Sequence, residues 1–136
     1  MIVSTKGRYA LRVIIDLAIN GKEEYISIKE ISDRLQISMK YLESIVANLN
    51  KEGLLDSLRG KKGGYKLNRK TEEYTVGMVL KASEGSLAPV ACVNCGDVDC
   101  AAAEDCITLP MWKKLDNLID DYLESVTIED LIKQKV

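Results

Sequence analysis

Apolar residues recur at helical spacing through most of the chain. Ala10, Val13, Ile14, Leu17 and Ala18 fall at i, i+3, i+4, i+7 and i+8, one face of a first helix. Ser4 or Thr5 caps its start, and Asn20-Gly21 stops it after about Ile19. Ser27-Ile28-Lys29-Glu30 is a capping box, in which hydroxyl and carboxylate each satisfy a free backbone N–H. It predicts a second helix, Ile28 to Leu35, with Ile28, Ile31 and Leu35 inward. Gln36-Ile37 makes a tight turn. Ser38 then caps a third helix, Met39 to about Glu52, burying Leu42, Ile45, Val46 and Leu49, with Gly53 ending it.

The pattern then loses its helical period. Leu54 to Arg59 reads as a strand, Gly60-Lys61-Lys62-Gly63-Gly64 as a loop, and Tyr65-Lys66-Leu67 as the returning strand. Thr75 caps a short helix from Val76 to Ala82. Pro110, tolerated in a first turn, opens a long helix to about Val126. Its stripe of Met111, Leu115, Leu118, Ile119, Tyr122 and Val126 needs a cover, which is a second subunit, the chain's own first helix, or both. Thr127 caps a last short helix carrying Leu131 and Ile132.

Two short helices joined by a tight turn and followed by a hairpin make a winged helix. The expected fold is therefore mainly α: a winged helix-turn-helix DNA-binding domain with a small β-hairpin wing and a long C-terminal dimerisation helix. Three segments follow, residues 1–83 for the DNA reader, 84–108 for a cysteine-containing loop, and 109–136 for the dimer helix and tail. The third helix exposes Ser38, Lys40, Tyr41, Glu43 and Ser44 for the major groove. The wing places Arg59, Lys61 and Lys62 at phosphates or in the minor groove. Glu43 either accepts from a cytosine amino group, rejects wrong operators, or faces solvent. Lys6, Arg8 and Arg12 are either phosphate contacts or exposed helix charges.

Charge sharpens this division. The net charge is -2, which as a total argues against nucleic acid. Residues 1–70, however, carry 14 Lys/Arg against 8 Asp/Glu, and residues 84–136 carry 4 against 11. Leu58 to Lys70 holds six basic residues and no acidic one. A basic half joined to an acidic half suits a DNA reader with a regulatory segment. No apolar run approaches the ~18 residues that span a bilayer, and Met1 to Lys6 lacks the pattern of a secretory signal. A cytoplasmic protein is expected.

All four cysteines, Cys92, Cys95, Cys100 and Cys106, lie within one loop. In a reducing compartment such a cluster is a metal site or a redox group. Thiolates at this spacing admit an iron–sulfur cluster, Zn²⁺, or a disulfide switch. The chain has no His, so a Ser-His or Cys-His pair is excluded, and no glycine-rich phosphate loop follows a strand. No enzyme is indicated.

Three segments carry a family resemblance. They are Ser4 to Ala10; Ile37 to Glu43 with Asn50 to Gly60 and Gly63-Gly64-Tyr65; and the cysteine loop with Trp112 after it. Together the chain resembles the Rrf2 family of winged-helix transcription regulators, close to its IscR-type iron–sulfur regulators. The resemblance implies a homodimer whose long C-terminal helices cross, and operator DNA bound by two recognition helices and two wings. It implies the major groove for Tyr41 and Glu43 and the minor groove for Arg59. Lys40 and Ser44 depart from the family pattern, which leaves the operator sequence open.

The resemblance also implies a cluster, [2Fe–2S] or [4Fe–4S], on three loop cysteines. Cys100 and Cys106 match the second and third ligands. The first is Cys92 or Cys95, with Cys92 favoured by the longer gap found in iron-responsive relatives. In IscR-type relatives a His three residues after the last cysteine is the fourth ligand; here that position is Leu109. Cys95, Glu104, Asp105, a small thiol or a group of the other subunit would replace it. The implied role is control of iron–sulfur assembly or of iron and redox stress genes. The alternative is a cysteine-metabolism repressor controlled by a protein partner or by thiol oxidation, with zinc or no metal.

Overall fold

A computed structural model of the chain describes residues 3–96 and 103–136. The helices are α1 (Thr5–Asn20), α2 (Ile28–Leu35), α3 (Met39–Lys51), α4 (Val76–Glu84), α5 (Leu109–Ser125) and α6 (Ile128–Ile132). One antiparallel hairpin, β1 (Leu55–Leu58) and β2 (Gly64–Leu67), pairs Leu55 with Leu67 and Leu58 with Gly64. Ile26 adds a single bridge to Tyr65, so the piece before α2 edges the hairpin. Short 3-10 turns lie at Thr71–Glu73, Ala91–Gly96 and Ala103–Asp105. The expected winged helix-turn-helix is the observed fold.

The caps fall where the local chemistry puts them. Ser4, Ser27, Ser38, Thr75 and Thr127 each accept a backbone N–H of the first turn of the helix they open. Gln36 takes a left-handed conformation between α2 and α3 (φ 56°), which gives the tight turn. Gly64 approaches the Ile26 carbonyl so closely that a Cβ would overlap it, and so it admits the bridge.

α1 is the central element, packed on α2, α3, α4 and β2. Ala10, Val13, Ile14 and Leu17 meet Ile31, Leu42, Ile45, Val46, Leu49, Leu55, Val79 and Ile128 in one core. Tyr74 is fully buried in it; its hydroxyl donates to the Leu54 carbonyl at 2.7 Å and accepts from the Asn68 N–H at 3.0 Å. Asp16 of α1 is also buried and is held by Arg34 of α2 through two bonds of 2.9 and 2.8 Å. The C-terminus returns to the start of α4: the Val76 N–H donates to Val126 at 2.8 Å and the Ile128 N–H to Tyr74 at 2.9 Å.

Two joints of one design link α1, α4 and α5. Glu84, at the end of α4, accepts from the backbone and hydroxyl of Ser4, the N-cap of α1, and a Cβ on Gly7 would strike that carboxylate. Glu124, near the end of α5, accepts from the hydroxyl of Thr75, the N-cap of α4, at 2.8 Å, and a Cβ on Gly77 would strike it in turn. In both, a carboxylate sits at a helix N-terminus, where the free N–H groups and the helix dipole favour it. Lys81 pairs with Asp120 and Glu124 across α4 and α5. Asp120 first, then Glu124, hold its ammonium pKa above the ordinary value, against the opposing effect of burial.

The alternatives left open for covering the long helix narrow here. α5 packs mainly on α4. Leu123, Val126 and Leu87 join Val76 and Leu80 in a second apolar cluster. Met111, Leu115, Leu118 and Tyr122 turn away from it and stay exposed, at 53, 38, 58 and 58 %. The chain's own first helix therefore does not cover that stripe. Among the described residues no helix is long and apolar enough to cross a membrane.

Candidate nucleic-acid interface and metal centre

Helix α3 buries Leu42, Ile45, Val46 and Leu49 and leaves its opposite face open. Ser38, Lys40, Glu43 and Ser44 are all exposed there. Ser38 is occupied as the cap, accepting the Tyr41 N–H at 3.2 Å, and Ser44 donates back to the Tyr41 carbonyl at 3.0 Å. Tyr41 is half-buried, its ring edge-on to Tyr9 of α1 at 5.9 Å. Packing on α1 fixes the ring's direction, which favours its use as a rigid contact.

The hairpin carries Arg59, Lys61 and Lys62 at its exposed tip. The rest of the basic run is partly committed to the fold. The Lys66 ammonium lies 4.8 Å from the Tyr25 ring, and Arg69 donates to the Gly53 carbonyl at 2.8 Å and lies over Tyr74. Of the basic residues on α1, Arg12 donates to the Leu35 carbonyl at the end of α2, Arg8 donates to Thr5, and Lys6 is half-buried. Arg12 is thus first a tie between α1 and α2.

A groove of about 440 Å³ runs between α3 and the hairpin and brings Glu43 and Arg59 onto one surface. Met39, Asn50 and Lys29 line the same groove. Sequence reasoning missed these three. Met39 had a signal, since it stands four residues before Glu43 on one helical face; Lys29 and Asn50 depend on how the hairpin docks.

Of the cysteines, Cys92 and Cys106 mark the two ends of the loop, both half-buried free thiols. Cys92 sits in the 3-10 turn Ala91–Gly96, which packs on α5 through a region that includes the buried Val93. Cys106 lies just before α5, its Sγ 3.4 Å from the Thr108 hydroxyl. That hydroxyl and the N–H of Thr108 hold its thiol pKa below the ordinary value; burial opposes this, and the Leu109 N–H assists. A thiol biased toward thiolate at a helix N-terminus suits a soft metal. Glu104 and Asp105 are exposed beside it. Cys100 and the side chain of Cys95 lie outside the described residues. Among the described residues no three acidic or cysteine side chains gather into a metal site.

The profile of the Rrf2 family, described as iron-dependent transcriptional regulators, matches residues 3–134. The HTH-type transcriptional regulator IscR of Pectobacterium atrosepticum is 36 % identical over 135 residues, covering 99 % of this chain and 81 % of that protein. Among solved structures, T. potens IscR is similar at a TM-score of 0.72 and 34 % identity, covering 100 % of this chain and 89 % of that one. CymR, described as the global cysteine regulator of B. subtilis, is similar at a TM-score of 0.77 and 33 % identity, covering 98 % of each chain.

Proposed function

The chain belongs to the Rrf2 family of transcription regulators, and on that premise we propose that it is a dimeric DNA-binding regulator whose operator affinity is set by an iron–sulfur cluster on its loop cysteines. The observation that carries this reading is the seat of Cys106. Its Sγ lies 3.4 Å from the hydroxyl of Thr108, the residue that caps α5; that hydroxyl, then the Thr108 N–H, hold the thiol pKa below its ordinary value, and α5 bears the open apolar stripe. Cys92, Cys100 and Cys106 are the proposed ligands. Cys95, Glu104 or Asp105 would complete the set in the absence of any imidazole. When bound, the cluster supplies covalent ties between the ends of the loop that iron loss or oxidation can break.

The chain's own residues carry the signal onward. The Cys92 turn packs on α5, and Glu124 and Lys81 fix α5 to α4. α4 reaches α3 through the Asn48 amide, which donates to the Ala82 carbonyl at 3.1 Å, and reaches α1 through Glu84. The stripe of Met111, Leu115, Leu118 and Tyr122 would be covered by the same stripe of a second copy, an isologous interface. Two α3 helices must then lie about one helical turn of DNA apart, ~34 Å, to enter successive major grooves. A small change in how α5 sits alters that spacing and so the affinity. Ser38, Lys40, Tyr41, Glu43 and Ser44 would face base edges, and Arg59, Lys61 and Lys62 the backbone or minor groove.

The likeness to CymR over nearly the full length of both chains favours a second reading. In it the same DNA reader answers to a protein partner or to thiol oxidation, with zinc or no metal. Absorption spectra of anaerobically purified protein, with iron and sulfide counts, separate the two. Broad visible bands, lost in Cys92→Ala, in Cys100→Ala and in Cys106→Ala, are expected of the first reading, and Cys95→Ala shows whether Cys95 completes the set. A colourless protein with zinc or no metal after anaerobic reconstitution supports the second.

A further inference from the structure

Met39 is a large apolar side chain that the fold leaves nearly half exposed, beside Ile28, Leu58 and Tyr65 in an open groove. It opens α3, it is 46 % exposed, and the exposed positions around it are Ser38, Lys40, Glu43 and Ser44. It does not belong to either apolar cluster of the core. It lines the groove between α3 and the hairpin, together with Glu43 four residues on and Arg59 from the wing. The spacing of four puts Met39 and Glu43 on one helical face.

We infer that Met39 is a base-reading residue that receives the C5-methyl group of a thymine next to the base pair faced by Glu43. This rests on α3 being the major-groove reader. The thymine methyl is the distinctive apolar group on the major-groove edges of the four base pairs. Met is unbranched and adapts its shape to such a contact. Charge argues against a second copy of this chain as the occupant. Lys29 and Arg59 line the groove against one acid, Glu43, and Lys61 and Lys62 stand exposed next to Arg59 at the hairpin tip; this net positive charge would repel the same face of another copy and attract phosphates. The exposed stripe on α5 is separate from this groove and is free for the copy–copy contact.

The test begins with selection of bound duplexes from a random-core DNA library by the full chain. Each thymine of the best duplex is then replaced singly by deoxyuridine, which removes the methyl group and nothing else. Wild type is expected to lose about four-fold in affinity at one thymine in each half-site, the worth of one buried methyl-sized group. Met39→Ala, which removes the contact in both half-sites of the dimer, should bind the thymine duplex about as weakly as wild type binds the duplex with deoxyuridine at both positions, and should be indifferent to either methyl. Met39→Leu should keep the dependence. The inference is overturned if wild type is indifferent to every thymine methyl, or if Met39→Ala keeps the wild-type dependence. Selection that yields no bound duplex overturns the DNA-binding reading itself, and this inference with it.

Discussion

At the residue scale the most exacting positions are charges whose partners come from another element. Arg34 of α2 satisfies the buried Asp16 of α1, and its guanidinium pKa is raised chiefly by that hydrogen bond. Removing it leaves a buried carboxylate with only the Asn20 amide at 3.0 Å. Arg34→Ala should therefore lower unfolding free energy by about 3 kcal/mol, read from the urea midpoint at unchanged slope. A loss below ~1 kcal/mol would mean that water replaces the guanidinium. Cys106 makes a different prediction. In metal-free Cys92→Ala/Cys95→Ala/Cys100→Ala protein, alkylation of Cys106 should reach half its limiting rate at a lower pH in the folded than in the urea-unfolded chain. The sign follows from the thiolate being favoured by Thr108 and Leu109 in the fold. That preference is present above the unfolded thiol's pKa and lost as pH falls through the folded one. Equal titration in both states would remove the argument for a preformed ligand. On the wing, Lys61→Ala should reduce the salt dependence of operator binding by about one ion per subunit and leave sequence preference unchanged.

At the element scale, what is local in the chain was legible and what is joint was not. The capping box of Ser27 and Glu30 and the period of Ile28, Ile31 and Leu35 set α2 to its observed bounds, because caps and faces are fixed within a few residues. The hairpin followed from its glycines and from the loss of helical period. The partners of Asp16, Glu84 and Glu124 are 18, 80 and 49 residues away, and no local pattern announces them. The same holds for α5. Its apolar stripe was readable, but which residues turn inward depends on α4, and Leu123 rather than Leu118 or Tyr122 makes the contact. At the candidate site Glu43 and Arg59 were foreseen separately; the groove that joins them needs the docked hairpin. The Glu124 joint can be tested alone. Gly77→Ala puts a methyl group where that carboxylate lies, so the flexible Glu124 side chain must turn away from Thr75; stability should change by no more than about 1 kcal/mol, since Ala also gains helix propensity. It should also shrink any difference in operator affinity between metal-loaded and metal-free protein, since the Glu124 tie between α5 and α4 would be lost. A full difference in the variant would place the coupling elsewhere.

At the scale of the whole molecule, basic charge gathers in the first half of the 136-residue chain and acidic charge in the second, and the proposed function assigns DNA reading to the one and sensing to the other. Family membership establishes a transcription regulator rather than an enzyme. The proposed dimer rests on Met111, Leu115, Leu118 and Tyr122, an apolar row on a well-formed helix. Leu118→Glu should convert the protein to monomers in sedimentation and weaken operator binding by about 100-fold, because two linked half-site contacts become one. The central claim is that the metal state of the loop sets DNA affinity. It is tested most directly by titrating one operator duplex, at one fixed salt concentration, with a single preparation before and after anaerobic cluster loading. At least about a ten-fold change in Kd, roughly 1.4 kcal/mol of coupling, is predicted, and it should vanish in Cys106→Ala. Equal affinity in the two states, with iron and sulfide bound in the loaded one, would contradict it.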